Sequence, residues 1–212
     1  MTCKSYTGRA NINIYNGDCM EFIKDKAPKS YDLAICDPPY GLERFKSGGS
    51  HLNKYGSENQ EWNNIKPSKD YFERIFKVSN YQIVWGANNF ELPTSEYYII
   101  WHKQSALDFS FAMCEMAWTN IKKPAKIFKY LHNESKEIRQ HPTQKPVALY
   151  KWLLTNYAKP NDKILDTHGG SMSIAIACWD LGFDLDIVEL DKDYYDKAVQ
   201  RFERHINQKQ IF

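Results

Sequence analysis

The residues best suited to chemistry stand at Asp37-Pro38-Pro39-Tyr40. Two consecutive prolines fix φ and lack N–H groups, so the backbone carbonyls beside them are held in place with less local competition. Ionised Asp37 accepts hydrogen bonds, and the Pro38 carbonyl is a second acceptor next to it. Together they can take both hydrogens of an exocyclic amino group on a planar ring, with Tyr40 offering a face for stacking. Such an amino group is a poor nucleophile because its lone pair is conjugated. Two acceptors drawing its hydrogens out of plane return electron density to nitrogen, with no deprotonated nucleophile needed. The competing reading of these four residues is a proline-rich turn that only ends a strand.

A second constellation is Asp166-Thr167-His168-Gly169-Gly170-Ser171, followed 23 positions after Asp166 by Glu189. Glycines between a strand and a helix allow close backbone approach to a ligand, and the helix start offers free N–H groups. An acid about 20 residues on, ending the next strand, is placed to hold a ribose diol. The G-x-G-x-x-G fingerprint of dinucleotide sites is missing, so the pattern points to an adenosine-containing cofactor more than to a dinucleotide.

The elements that must position these residues follow from hydropathy. Strands are expected at 12–15, 31–36, 82–85, 97–101, 112–119, 163–166 and 185–190, and helices at 19–26, 68–78, 146–157, 171–181 and 193–207. Ser68 reads as an N-cap, Pro146 as a first-turn proline and Gly182 as a stop signal. Strands alternating with helices predict an α/β fold with a mostly parallel sheet covered on both faces. The constellations at 37–40 and 166–171 would then both lie at strand carboxyl ends, where open α/β sheets bind ligands. Residues 41–64 form a long polar stretch with Gly48-Gly49-Ser50, a length expected of a functional loop.

The chain has 212 residues and 42% apolar content, enough for one packed domain. Mean hydropathy is -0.63. With no long uncharged apolar run and no signal-like start, a cytoplasmic protein without a membrane partner is expected. Five cysteines at 3, 19, 36, 114 and 178 have no CxxC spacing and read as buried thiols rather than disulfides or a zinc site. The Asp-rich run from 184 to 196 lacks a calcium-loop glycine, so no metal is expected. The net charge of +2 hides a block of +7 over residues 121–163 and one of −4 beyond it. In the basic block Lys122, Lys123 and Lys126 are candidate phosphate contacts, with Phe128, Tyr130 and His132 interleaved. The alternative for this block is a solvated lysine-rich loop.

These residues together resemble the S-adenosylmethionine-dependent DNA amino-methyltransferases, in the class whose catalytic motif precedes the cofactor motif. The similarity spans nearly the whole chain. Asn16-Gly17-Asp18-Cys19, Asp37-Pro38-Pro39-Tyr40, Trp85-Gly86-Ala87-Asn88-Asn89-Phe90, Glu115-Met116-Ala117-Trp118 and His141-Pro142-Thr143-Gln144-Lys145-Pro146 occur in the family's order. The resemblance implies a class I methyltransferase (Rossmann-like) fold, with one antiparallel strand in the sheet. It implies S-adenosylmethionine as cofactor, with Asp18 at its adenine, Glu189 at its ribose, and Thr143 and Lys145 beside its methionine end with Asp37. Asp166, His168, Gly170 and Ser171 would line the cofactor loop, and Asp37, Pro38, Pro39 and Tyr40 would carry catalysis. The family loop usually reads Asp-Pro-Phe-x-Gly-Ser-Gly; here Thr167, His168 and Met172 depart from it, and Met172 puts a side chain where the family leaves space.

The implied partner is DNA, with the target base flipped out onto Tyr40. Residues 41–64 would close over it, and a small recognition region would span about 103–140 within a single domain of 1–212. So short a region implies a short recognition sequence, loose specificity, or a homodimer sharing DNA contacts. Asp at the first motif position goes with adenine N6 more often than with cytosine N4, where Ser is more usual. The glutamine methyltransferases need Asn at position 37 and the opposite motif order. A DNA-binding remnant without cofactor is the non-enzymatic alternative, resting on His168 and Met172. A lone methyltransferase and one half of a restriction–modification pair would carry the same residues.

Overall fold

The computed structural model describes residues 1–41, 65–103, 112–130 and 143–208. Most of the expected closing loop (42–64), parts of the expected recognition region (104–111 and 131–140), His141 and Pro142 lie outside them. Among the described residues nine strands form one sheet: β1 (Thr2–Thr7), β2 (Asn11–Asn16), β3 (Tyr31–Cys36), β4 (Ser79–Trp85), β5 (Tyr98–His102), β6 (Cys114–Thr119), β7 (Lys126–Lys129), β8 (Ile164–Asp166) and β9 (Leu185–Glu189). The helices are α1 (Cys19–Ile23), α2 (Lys69–Val78), α3 (Val147–Tyr157), α4 (Ser173–Leu181) and α5 (Lys192–Gln208). Strand order is β1-β2-β9-β8-β3-β4-β6-β5-β7.

Alternation along each strand sorts side chains onto two faces. Ile12, Leu33, Ile35, Ile83, Trp85, Ile164 and Ile187 pack under α3, α4 and α5. Ala34, Cys36, Val84, Leu165 and Val188 pack under α1 and α2. Central strands buried on both faces read as near-continuous apolar runs, which is why Tyr31–Cys36 was legible. The class I methyltransferase architecture expected from the sequence is therefore present, with one correction. β1 and β6 both run antiparallel to their neighbours, so two strands, not one, oppose the parallel set. β6 lets the chain return between β4 and β5, and β1 closes the other edge.

The topology positions the site at one place. β3 leads through α2 to β4 on one side, and β8 leads through α4 to β9 on the other. β3 and β8 are parallel neighbours, so the connections leaving their carboxyl ends diverge and open a crevice there. Residues 37 and 166 start those two connections.

Local caps hold the elements to register. Ser68 accepts from the Tyr71 N–H at the start of α2, and Gly182 ends α4 in the left-handed conformation that glycine adopts without strain. Two elements escaped the sequence reading, the polar edge strand β1 and the short β7 inside the lysine-rich block. Cys36 and Cys178 are buried as expected, but Cys3 and Cys114 are exposed on strands. Among the described residues no helix is long and apolar enough to cross a membrane.

Under the sheet's first half, Asp186 is 2% exposed and fully satisfied: Tyr31 donates to it at 2.6 Å, Asn13 at 2.8 Å, and Lys163 sits at 3.0 Å. Burial would raise its pKa, but these donors outweigh that and hold it below the ordinary carboxylate value. Tyr31→Phe leaves a buried carboxylate oxygen short of a donor, and it should cost about 1–3 kcal/mol of stability in urea unfolding. A change within a few tenths of a kcal/mol would remove this bond from the set that holds the sheet.

Candidate active site

The crevice between the β3 and β8 connections is a cleft open to solvent. Asp18, Asp37, Pro39, Thr143, Lys145, His168, Gly170, Ser171 and Glu189 line it. The structure thus brings together around one cleft most of the residues singled out from the sequence, although they come from five separate segments; Pro38, Tyr40 and Asp166 are not among its lining residues. Asp166 is 1% exposed and accepts from the His168 backbone N–H at 2.9 Å.

At one end, Glu189 is fixed by backbone donors: Gly170 N–H reaches one carboxylate oxygen at 2.7 Å and Asp191 N–H the other at 2.8 Å. A carboxylate held in this way can still accept from a diol. Gly169 packs so closely that a Cβ there would meet Ile187 at 3.0 Å and the Val188 carbonyl at 3.3 Å. The loop is therefore pressed onto β9 and leaves the space above it open. Asp18 caps α1 by accepting from the Met20 N–H at 2.8 Å while lining the cleft. An open, glycine-floored cleft with a braced acid at one end fits an adenosine-containing group.

The two departures from the family loop do not close this cleft. Met172 is buried in the core beneath α4 and does not line the cleft, but its backbone takes a left-handed φ of 56°. His168 lines the cleft with its ring edge-on to Tyr71, centroids 5.4 Å apart. Thr167 Oγ1 joins Tyr71 OH at 2.7 Å and His168 Nδ1 at 3.0 Å. Burial lowers the His168 pKa to about 4, so the ring is neutral. Arg201 of α5 donates to the Ser171 carbonyl at 2.7 Å and braces the loop from below.

At the other end stands Asp37. Tyr40 OH donates to its Oδ1 at 2.6 Å, and the Lys145 ammonium is paired with its Oδ2. The Tyr40 ring lies against Gly86, so near that a Cβ would come within 2.2 Å of it, and edge-on to Phe90 at 6.1 Å. Gly86 also has a φ of 70°, so its lack of side chain is required twice over. Lys145, expected at the cofactor's methionine end, lines the cleft and pairs its ammonium with carboxylates: besides Asp37 it lies 3.1 Å from Glu115, which in turn pairs with Lys103 at 2.6 Å. Glu115 and Gly86 stand within contiguous motifs that by themselves assign neither a role; the antiparallel return of β6 carries Glu115 to the carboxyl end of β4.

The three lysines proposed for phosphate contact are not at this cleft. Lys123 donates to the Asn156 carbonyl and Lys126 to its side chain at 2.7 Å, at the far end of α3. That helix begins just after Lys145 and is about 16 Å long at 1.5 Å per residue. Lys123 and Lys126 are therefore occupied in holding a helix C-terminus, and Lys122 sits beside them on the chain. Within the basic block it is Lys129, paired with His102, that reaches the cleft end of the sheet next to Lys103.

Two buried acids make the cleft sensitive to pH. Burial raises Asp166 to about 8, with the charges of Asp37 and Glu189 adding to it, and burial raises Glu189 to about 7. Unfolded carboxylates titrate near 4. Between about pH 4 and pH 8 the folded chain therefore holds protons that the unfolded chain has released, and stability falls as pH rises. Urea midpoints of the ligand-free protein should fall across that window, and Asp166→Asn should flatten the slope. A slope unchanged in the Asn variant would show that Asp166 is ionised in the folded state.

The comparisons agree with this geometry. The family described as DNA methylase matches residues 84–200. The chain is 23% identical to the type II methyltransferase M.HpaI of Haemophilus parainfluenzae, over 90% of this chain and 74% of that one. It is 26% identical to M2.MboI of Moraxella bovis, over 94% and 93%. Among solved structures, the M1.HpyAVI complex with S-adenosylmethionine superposes with a TM-score of 0.60 at 22% identity, covering 90% of this chain and 99% of that one. The cytosine-N4-specific PvuII methyltransferase superposes at 0.62 with 16% identity, covering 93% and 91%. The family match takes in more than half of the sequence, from the end of β4 into α5, and the chain belongs to the S-adenosylmethionine-dependent DNA amino-methyltransferases.

Proposed function

We propose that this protein methylates the N6 amino group of adenine in DNA, and that the site is built from Asp37, Pro38, Pro39 and Tyr40 at one end of the cleft and Glu189 at the other. The observation that carries the reading is the placement of Asp37 and Glu189 along one continuous cleft at the carboxyl ends of β3 and β9. When bound, the cofactor supplies a methyl group on a sulfonium, an electrophile that needs no further activation. The residues supply the rest. Glu189 holds the ribose hydroxyls, Asp18 and His168 flank the adenine, and Asp166 supports the loop of Gly170 and Ser171 beneath. Thr143 lines the wall nearest Asp37.

At the reacting end, Asp37 and the Pro38 carbonyl accept the two amino hydrogens of the flipped base while its ring lies on Tyr40. The bond to the methyl carbon forms at nitrogen as the bond to sulfur breaks. Asp37 also stands where it can receive the proton that the methylated nitrogen sheds. Tyr40 contributes twice: its ring is the stacking face, and its hydroxyl orients Asp37. The carboxylate at position 37 favours adenine. Cytosine N4 is the second reading, supported by the likeness to the cytosine-N4-specific fold. The expected closing loop and recognition region, and any sharing of DNA contacts in a homodimer, belong to this proposal.

Nucleosides from unmethylated DNA treated with protein and S-adenosylmethionine should contain N6-methyladenine by mass spectrometry. N4-methylcytosine in its place would keep the mechanism and change the base, and neither base would overturn the reading. Asp37→Ala should abolish transfer while calorimetric cofactor binding persists, since Asp37 acts on the amino group. Gly86→Ala should fold, bind cofactor and lose roughly 100-fold or more in kcat, because the added methyl displaces the Tyr40 ring from its seat. Full activity in that variant would mean that Tyr40 need not lie where it does.

A further inference from the structure

We propose that Glu115 is a positioning residue for methyl transfer, acting as a second resting place for the Lys145 ammonium so that Lys145 can leave Asp37 when the target amino group arrives. The inference rests on the assignment of Asp37 as the acceptor of the amino hydrogens.

In the structure each carboxylate oxygen of Asp37 already has a donor. Its Oδ1 takes the Tyr40 hydroxyl and its Oδ2 the Lys145 ammonium. An ammonium directly on Asp37 weakens it as an acceptor. It also opposes the positive charge that grows on the amino nitrogen as the methyl group arrives. Lys145 therefore has to give up part of its hold at the moment Asp37 is needed. Yet Lys145 is only 3% exposed, and a buried ammonium without a partner is strongly disfavoured.

Glu115 meets both requirements. Its Oε2 is already 3.1 Å from the Lys145 ammonium, so a small rotation exchanges one carboxylate for the other without any move through water. Tyr40 OH, 3.4 Å from the same ammonium, and the Trp85 ring, 5.3 Å away, line the short path. Lys103 holds the other oxygen of Glu115 at 2.6 Å, which fixes the carboxylate and keeps it ionised. The row Asp37, Lys145, Glu115, Lys103 alternates in sign, so moving one cation by one step leaves the total charge of the buried cluster unchanged. Burial favours the uncharged acid, but Lys145 and Lys103 outweigh it and hold Glu115 down at about 2. Asp37 and Glu115 likewise keep Lys145 protonated against the effect of burial. The effect of this row is on how strongly Asp37 can accept.

The test is steady-state methylation kinetics on the full chain with Glu115→Gln, Glu115→Asp and the double variant Glu115→Gln/Lys145→Gln. With Glu115→Gln, Lys145 has only Asp37 to pair with, and kcat should fall about 10- to 100-fold. KM for DNA and the calorimetric cofactor affinity should stay within about twofold, because neither contact is lost. Glu115→Asp keeps the charge and should recover much of kcat. The double variant removes the ammonium that Glu115→Gln strands on Asp37, so it should be faster than Glu115→Gln alone. A Glu115→Gln enzyme with wild-type kcat, or a double variant no faster than the single, overturns the proposal. If Glu115→Gln does not fold, the same decision falls to Glu115→Asp, whose kcat must then be lowered with KM unchanged. Transfer retained by Asp37→Ala would instead overturn the assignment of Asp37 beneath it, whatever Glu115→Gln does.

Discussion

The parallel pairing of β3 with β8 is the constraint from which the site follows. Leu33 lies opposite Ile164 and Ala34 opposite Leu165, a contact of only a few residues between segments more than a hundred positions apart. One strand sends its chain toward β4 and the other toward β9, so the backbone must part at their carboxyl ends. A crevice at that point is a consequence of topology, before any side chain is chosen. Sequence then supplies contents: a proline-locked acid on one lip and a glycine floor on the other. Both faces of these strands are buried, so the crevice rests on the most rigid part of the molecule, where sub-ångström placement of reacting groups is most readily kept.

What was legible in the sequence and what was not divides along the range of the interaction. β3, α2, α4 and α5 were read nearly to the residue because burial periodicity and caps are local: Ser68 and Gly182 are signals that act within one turn. β1 was missed because an edge strand buries almost nothing, and Thr2–Thr7 is exposed along nearly its whole length. β7 was missed because Lys126 and Lys129 flank Ile127 and Phe128, and lysines on an edge strand deter pairing with other chains. Lys123 and Lys126, candidates for a nucleic-acid surface, also bond Asn156 at the end of α3. The site residues were legible where a motif is contiguous. Glu115 carries its meaning only through the strand direction of β6, which no spacing in the sequence reveals.

The charges of the cleft fall into two groups with opposite logic. Around Asp37 the carboxylates are matched with ammonium groups, and Glu115 and Lys145 stay ionised despite burial. Around Asp166 and Glu189 no ion pair forms among the described residues, and burial outweighs the Lys145 charge that acts on Asp166 and drives both acids toward their protonated forms. The unmatched end is the one that would face the neutral ribose, and the matched end is the one that would lie beside the sulfonium and the target amino group.

The altered cofactor loop shows how such a site tolerates substitution. Proline and phenylalanine would fix the family's loop by ring rigidity and apolar packing. Thr167 and His168 replace these with a hydrogen-bonded row, from Tyr71 on α2 through Thr167 to the imidazole, and the Tyr71 ring packs edge-on against His168. A flat ring therefore still lines the cleft, and its low pKa keeps an unwanted positive charge away from a cationic ligand. The cost has moved to Met172, which adopts a left-handed φ that disfavours any residue with a Cβ by about 1 kcal/mol or more. Its side chain recovers that cost by complete burial against the core, worth about 1.5–3 kcal/mol. Strain beside the cofactor loop is thus offset by packing beneath it, and the cleft itself is left open.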